Sequence, residues 1–155
     1  MTKEELMRKA ISLSVRNVAD GGGPFGAVVA RDGEIVSTGV NRVTDEHDPT
    51  SHAEVNAIRE ACRKLGTFDL SGCEIYTSCE PCPMCLGAIY WARLDRMYYG
   101  NTKADAAAIG FDDAFIYREM ELSPENRRLK SEECLHEEAL AAFAAWSLKP
   151  DRSEY

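Results

Sequence analysis

The sequence contains no long apolar run. Hydrophobic residues make up 45% of its 155 residues, but they come in short segments, and none approaches the roughly 20 apolar residues that a transmembrane helix needs. The first residues are rich in Lys and Glu and do not resemble a secretory signal peptide. No internal repeat, low-complexity tract or linker divides the chain. We therefore expect one soluble, cytoplasmic domain over residues 1–155, long enough to bury a hydrophobic core.

Basic residues are also few. The chain has 18 Lys and Arg against 26 Asp and Glu, which gives a formal net charge of −8 and an isoelectric point near 4.9. Affinity for nucleic acid comes mostly from a basic surface, because the phosphate backbone is a dense row of negative charges. The composition therefore argues against a nucleic-acid partner and favours a small-molecule substrate.

The six cysteines are informative through their spacing. In a reducing cytosol, clustered thiols more often bind metal or carry out redox chemistry than form disulfides. Three of the six are clustered within seven positions: Cys79, Cys82 and Cys85. The other three are isolated in the sequence and are expected to be ordinary thiols: Cys62, Cys73 and Cys134.

Helical and strand patterns alternate along the chain. Helical spacing of apolar residues predicts helices over about 1–20, 52–65, 82–93 and 135–146. Short β-rich segments predict strands over 27–29, 34–36, 74–77 and 96–99, the first two joined by a hairpin at Asp32-Gly33. Residues 41–50 are predicted to form a loop and residues 104–108 a short helix. Residues 113–120 are predicted to form either a helix or a strand. The order strand, helix, strand after residue 74 predicts a right-handed parallel crossover.

Two short motifs can together build one metal site. Cys82 and Cys85 lie on one side of a first helical turn, where the helix dipole favours the thiolate that binds metal. His52, at the start of another helix, offers a neutral imidazole. Two thiolates and one imidazole suit Zn²⁺, and three protein ligands leave a fourth position for water, as in catalytic rather than structural zinc sites.

Glu54 is the candidate general base. Two thiolates cancel the formal charge of zinc, so this ion is a weaker Lewis acid than one held by neutral imidazoles, and a neighbouring base is needed. Glu54 follows His52 by two residues on the same opening turn. We expect it to accept a proton from the water and to deliver that proton to the substrate.

Three other interpretations of the cysteines stay open. A dithiol redox motif leaves His52 and Glu54 without a role, and an iron–sulfur run lacks its fourth Cys because position 89 is Ile. The third is a closed structural zinc site with Cys79 as a fourth ligand, although Pro81 makes that path awkward. Such a site belongs to a zinc-stabilised binding module without catalysis.

The two motifs resemble the cytidine deaminase-like superfamily of zinc-dependent deaminases, whose signature is a His-x-Glu followed by Pro-Cys-x-x-Cys. Within this superfamily, the chain resembles the bacterial guanine deaminases along nearly its whole length, and residues 121–140 match least well. The matching segments include residues 23–28, 48–50, 76–93, 110–113, 115–117 and 154–155. Three features favour guanine deaminases in particular: Tyr90-Trp91-Ala92-Arg93, Phe111-Asp112-Asp113 and the terminal Tyr155. The zinc motif itself is shared with tRNA adenosine deaminases and cytosine deaminases.

The resemblance implies a three-layer α/β/α sandwich around a central mixed sheet of five strands. It implies zinc on His52, Cys82 and Cys85, with Glu54 as proton shuttle. It also implies that Asn41 and Asp113 hold the base. Further residues are implied to bind the substrate or line its pocket: Phe25, Ala53, Trp91, Phe111 and Tyr155. From sequence alone, Asp113 and Asn41 are equally typical of turns or caps, and the aromatic residues of a core.

The implied reaction is hydrolysis of guanine to xanthine and ammonia. Other amino-substituted rings remain alternatives, namely guanosine, cytosine, an aminotriazine and adenosine in tRNA. The resemblance further implies a homodimer in which the C-terminal segment, from about residue 111 to residue 155, crosses to the partner. In such a dimer, Asp113 and Tyr155 complete the site of the neighbouring subunit.

Overall fold

A computed structural model describes all residues from 1 to 155. It contains seven α-helices and four β-strands in this order: α1 (Lys3–Ala19), β1 (Gly26–Arg31), β2 (Glu34–Val40), α2 (Val43–Glu46), α3 (Ala53–Leu65), β3 (Glu74–Cys79), α4 (Pro83–Trp91), β4 (Arg96–Asn101), α5 (Lys103–Ala108), α6 (Ala114–Met120) and α7 (His136–Leu148). A single 3₁₀ turn, Pro124–Asn126, lies between the last two helices. None of the helices combines the length and the apolar character needed to cross a membrane.

The four strands form one mixed sheet in the order β2-β1-β3-β4. β1 is antiparallel to both β2 and β3, whereas β3 and β4 are parallel. The predicted hairpin is confirmed, since Asp32 and Gly33 both have positive φ, at 51° and 77°, as tight hairpin turns require. The expected fifth strand is not found, because the chain continues after Asn101 into helices and irregular segments.

Helices cover both faces of this sheet. β1 sends alternate side chains to opposite faces, so Val28 packs with Leu6 of α1 on one side. Val29 packs with Ala57 of α3 on the other side, where α4 also contributes to the core. The layered α/β arrangement predicted for the chain is therefore confirmed.

Small residues bring α3 close to the sheet. A Cβ on Gly39 of β2 would lie 2.2 Å from the carbonyl oxygen of Ala53 and 2.5 Å from the backbone nitrogen of Ala57. Only glycine permits this approach, because real Cβ contacts essentially never fall below 3.0 Å. The N-terminus of α3 is thereby held against the sheet, next to the ends of the strands.

Two local predictions needed correction or completion. The segment 41–50, expected to be a loop, contains the one-turn helix α2, which is too short to show a helical period in sequence. The segment 113–120, left open between helix and strand, forms α6.

The chain divides into two compact units, Met1–Tyr117 and Arg118–Tyr155. In the second unit, the Arg127 guanidinium donates to the carbonyl oxygens of Glu119 and Leu122, both at 3.1 Å. Its long helix, α7, contains no buried residue, and Phe143 is 73% exposed. An apolar helix of this kind is usually buried against something.

Candidate active site

Three potential metal ligands converge at the N-termini of two helices. His52 is the N-cap residue of α3, Cys82 is the N-cap residue of α4, and Cys85 lies in the first turn of α4. Nδ1 of His52 lies 3.5 Å from Sγ of Cys82 and 3.5 Å from Sγ of Cys85. All three ligand atoms lie within 4.8 Å of one another. The cluster predicted from the two motifs is confirmed.

These distances fit a zinc ion. With Zn–S bonds of about 2.3 Å and a Zn–N bond of about 2.0 Å, tetrahedral geometry separates sulfur from nitrogen by about 3.5 Å. The imidazole nitrogen and the two sulfur atoms already have this spacing. Two soft thiolates with one imidazole are also the donor set that selects zinc over Mg²⁺ or Ca²⁺.

Direct contacts among Cys82, Cys85 and His52 shift the pKa values of all three. The pKa of Cys82 is lowered because the Cys85 thiol donates to its sulfur, and His52 lowers it further. The pKa of Cys85 is raised, first by the same hydrogen bond and then by burial. The pKa of His52 is raised, mainly by its contact with Cys82. A bound divalent cation would stabilise both sulfur atoms as thiolates.

Cys79 lies outside this cluster. It is the last residue of β3 and is buried, and its Sγ lies 3.7 Å from the carbonyl oxygen of Thr102. Burial raises the pKa of its thiol to about 11. The sulfur of Cys79 is not among the ligand atoms that lie within 4.8 Å of one another, so the geometry favours the open, three-ligand site.

Glu54 lies in the first turn of α3 and is 6% exposed. Burial raises the pKa of its carboxyl group, and the Cys85 thiol contacts the carboxylate and partly offsets that effect. It lines the same cleft as His52 and Cys82. A carboxyl group that is desolvated beside a metal site is suited to take up and release protons.

The cleft above the cluster has a volume of about 450 Å³, and the area of its wall is mostly apolar. Both features are typical of small-ligand pockets, which combine apolar walls with a few polar groups. The rings of Phe25 and Phe111 form part of the wall and meet edge to face, with centroids 5.0 Å apart. A flat, partly apolar ligand fits this environment better than a charged one.

Asn41 lines the cleft from the end of β2 and is 8% exposed. Its backbone carbonyl accepts a hydrogen bond of 2.8 Å from the side-chain amide of Asn17. The same Asn17 amide donates to the carbonyl oxygen of Gly23 at 2.7 Å. A Cβ on Gly22 would lie 2.4 Å from that amide nitrogen. Glycine at this position therefore allows α1 to fix the loop that carries Asn41.

Asp113 is far from Asn41 in the sequence but lines the same cleft. Its Oδ1 is buried and has no hydrogen-bond partner, and no other buried side-chain nitrogen or oxygen atom of the chain shares this condition. Burial is the main cause that raises the pKa of this carboxyl group, and the negative charges near Cys82 and Glu80 raise it further. A buried acceptor without a donor is costly, so the site is suited to a ligand that supplies N–H groups.

A family model for the "cytidine and deoxycytidylate deaminase zinc-binding region" matches residues 1–101, which include all three ligands and Glu54. The chain belongs to this deaminase family. Guanine deaminase from Bacillus subtilis (strain 168) is 48% identical over 156 residues, which cover 100% of both chains. The X-ray structure of guanine deaminase from Bacillus subtilis superposes with a TM-score of 0.97, covering 100% of this chain and 99% of that chain.

Other deaminases of the family match a shorter part of the chain. The tRNA-specific adenosine deaminase from Aquifex aeolicus (strain VF5) is 41% identical over 99 residues, which cover 64% of this chain and 66% of that protein. The zinc region is therefore common to deaminases with different substrates. The full-length match to guanine deaminase extends over residues 102–155 as well, where Phe111 and Asp113 lie.

Three residues expected in a deaminase pocket are not among the residues that line the cleft. Trp91, at the end of α4, is 67% exposed and lines a separate shallow depression with Tyr90 and Arg93. The side chain of Ala53 belongs to the hydrophobic core beneath α3. Tyr155 is 70% exposed and belongs to the second compact unit. The substrate-binding roles of all three stay predictions.

The position of Asp113 in the cleft of its own chain bears on the expected exchange between subunits. A crossed C-terminal segment starting near residue 111 would carry Asp113 into the site of a neighbouring subunit. Instead, Asp113 lines the cleft that holds His52 and Glu54 of its own chain, and the first compact unit continues to Tyr117. The exchange of the segment from about residue 111 to residue 155 stays a prediction.

Several wall residues of this deaminase site were not singled out from the sequence. Gly23, Pro49, Glu80 and Ile116 were visible only as parts of longer segments that match the guanine deaminases. Asn17, which does not line the cleft but holds the loop of Asn41, looks like any polar position of an amphipathic helix. The remaining wall residues carry no recognisable sequence signal: Val43, Thr44 and Ala106.

Proposed function

We propose that the protein hydrolyses guanine to xanthine and ammonia. The observation that carries the proposal is the unpartnered, buried Oδ1 of Asp113 in the cleft that also holds the His52, Cys82 and Cys85 cluster. The N1–H and C2 amine of guanine are adjacent donors, and they match a carboxylate acceptor at this position. The full-length similarity to a guanine deaminase supports the same substrate.

The chain's own residues account for the proton transfers. When zinc is bound by His52, Cys82 and Cys85, it lowers the pKa of a water molecule to about 7. Glu54 accepts the proton of the attacking water and passes it to the ring nitrogen beside C2 as that carbon becomes tetrahedral. A second proton reaches the amine through Glu54, the C2–N bond breaks, and ammonia leaves. Guanine and one water are thus converted to xanthine and ammonia.

The remaining wall residues bind and orient the ring. Asp113 accepts hydrogen bonds from N1–H and the amine, so it selects rings that present donors there. Asn41, fixed by Asn17, offers an amide group to the polar edge of the purine. Phe25 and Phe111 pack against the guanine ring and exclude water from it. Exclusion of water strengthens the hydrogen bonds that guanine makes with Asp113 and Asn41.

Replacement of Asp113 by Asn tests the recognition of guanine. The side chain keeps its size, but its amide N–H₂ meets the donors of guanine, and a charge-assisted hydrogen bond is lost. We expect kcat/KM for guanine to fall about 10- to 100-fold with zinc content unchanged, measured by ammonia release and metal analysis. Asp69→Asn is the matched control, because Asp69 accepts from the backbone nitrogen of Ser71 at 2.9 Å and does not line the cleft. Wild-type kinetics in Asp113→Asn would contradict the role of Asp113 as the acceptor for the N–H donors of guanine.

A substrate panel tests the function itself. Ammonia release should be fastest with guanine and much slower with guanosine, cytosine, ammeline and an unmodified tRNA. The formal net charge of −8 disfavours a tRNA substrate, although the zinc region resembles that of tRNA-specific adenosine deaminases. Preference for any other member of the panel would replace guanine as the substrate.

We propose in addition that two copies form a homodimer and exchange the segment after residue 117. α7 has no buried residue although it carries Leu140, Phe143 and Trp146, and β4 is at the open edge of the sheet. A second copy is suited to cover such surfaces. Tyr155 at the end of the exchanged segment would then close the partner's cleft.

All six cysteines are free, which supports the cytoplasmic setting expected from the sequence.

Mixed dimers test this exchange. Truncation after Lys149 should lower kcat/KM about 10-fold or more while the melting temperature changes little, since the last residues are exposed. Glu54→Gln chains mixed with truncated chains should regain about a quarter of wild-type activity, because half of the dimers contain one complete site. Mixing Glu54→Gln with Asp113→Asn should restore nothing, since both residues serve their own chain's cleft. Equal recovery in both mixtures, or none in verified mixed dimers of the first, would contradict the exchange.

A further inference from the structure

Tyr117 connects two parts of the site that are far apart in sequence. Its hydroxyl group donates a hydrogen bond of 2.8 Å to the carbonyl oxygen of Pro81, 36 residues earlier. Pro81 directly precedes Cys82, the N-cap residue of α4 and one of the metal ligands. The phenol is therefore attached to the turn that positions the metal site.

The same residue is attached to Asp113 through α6. The backbone nitrogen of Tyr117 donates to the carbonyl oxygen of Asp113 at 3.3 Å, in the first turn of that helix. Asp113 carries the unpartnered carboxylate oxygen of the cleft. Tyr117 thus makes one hydrogen bond to Asp113 and a second to Pro81, the residue next to the metal ligand Cys82.

Neighbouring groups hold the Tyr117 ring in place. Nζ of Lys103 lies 4.1 Å from the ring centroid, and it also lies 3.4 Å from Oε2 of Glu80. Cation–π contacts of this kind favour one ring orientation. Burial, followed by the charge of Asp113, raises the pKa of the Tyr117 hydroxyl to about 12, so the group remains a donor at any pH at which the enzyme works.

We propose that Tyr117 is a positioning residue that sets the distance between Asp113 and the metal ligands. This inference rests on the proposed function. The reacting carbon of guanine has to lie near the metal while the N–H donors of guanine reach Asp113. Both conditions depend on the distance between Asp113 and the metal ligands. An error of about 1 Å in such a separation can reduce turnover by a large factor. Tyr117 does not line the cleft and is not one of the clustered ligand residues; it acts through Asp113 and the turn at Pro81.

Tyr117→Phe removes only the hydroxyl group and leaves the ring for Lys103. On the full-length, zinc-loaded protein we expect kcat/KM for guanine to fall about 10-fold, with zinc content unchanged. In an Asp113→Asn background the same change should have an effect of less than about twofold, because Tyr117 acts through Asp113. Tyr76→Phe is the matched control, since it removes a hydroxyl that donates to Glu74 at 2.7 Å outside the cleft.

Hydrogen–deuterium exchange supplies a readout that needs no turnover. Tyr117→Phe should speed exchange in the peptide covering residues 113–120, whereas Tyr76→Phe should leave that peptide unchanged. Unchanged activity in Tyr117→Phe, or a loss that simply adds to that of Asp113→Asn, overturns the proposal. If the wild-type protein does not deaminate guanine, the proposed function fails, and exchange alone then decides: faster exchange at 113–120 supports the positioning role and unchanged exchange refutes it.

Discussion

Replacing Glu54 with Gln is expected to abolish nearly all turnover while the fold and the zinc content remain. The substitution keeps the size of the side chain and its ability to accept a hydrogen bond, but Gln cannot carry a proton from water to the substrate. General acid–base catalysis contributes about 10²- to 10⁴-fold, so kcat should fall by a factor in this range. Because Glu54 is not one of the clustered ligand residues, metal analysis should give wild-type stoichiometry.

The matched control for this variant is Glu60→Gln. Glu60 lies on the same helix, α3, and pairs with Arg63 on the protein surface. Exposed ion pairs contribute little, so activity and melting temperature should stay close to wild type. A Glu54→Gln enzyme that retains kcat within a few-fold of wild type would falsify the assignment of the proton shuttle, whatever its metal content.

Replacing one of the clustered cysteines is expected to remove both metal and activity. Cys85→Ser exchanges a thiolate for a hydroxyl group, a poor zinc ligand, and leaves only His52 and Cys82. Loss of one of three ligands should reduce the zinc content of purified protein to a small fraction and turnover to background. Inductively coupled plasma mass spectrometry together with ammonia release measures both quantities.

Cys79→Ser separates the open site from the closed one. The Cys79 thiol is directed at the carbonyl oxygen of Thr102, and a hydroxyl group can replace it there. We expect full zinc occupancy and nearly unchanged kcat. Zinc loss in Cys79→Ser would establish a four-ligand structural site, and deamination would then lose its physical basis.

The metal cluster was predictable because its signal is local. His52 and Glu54 share one helical turn, and Cys82 and Cys85 share another, so spacing alone places each pair on one face. Their convergence needed only the layered α/β arrangement, which the alternation of strand and helix patterns already indicated. Most helices and strands followed from the same periodicities, and their observed ends differ from the expected ones by a few residues.

The walls of the cleft were not predictable in the same way. Trp91 was expected to line the pocket, but the direction of its side chain depends on the rotation of α4, which no local pattern defines. The contact between Tyr117 and Pro81 joins residues 36 positions apart and exists only after α6 has packed. The expected fifth strand was implied by the resemblance alone, because no clear β pattern occurs after residue 101.

The two helices that meet at the metal site begin without the usual side-chain hydrogen bond. His52 and Cys82 both occupy N-cap positions, and neither side chain caps its helix. Ser, Asp or Asn at such a position typically adds about 1 kcal/mol of stability, so a redesign guided by thermostability alone would select them here. Catalysis and robustness make opposite demands on these two positions, and natural selection has favoured chemistry.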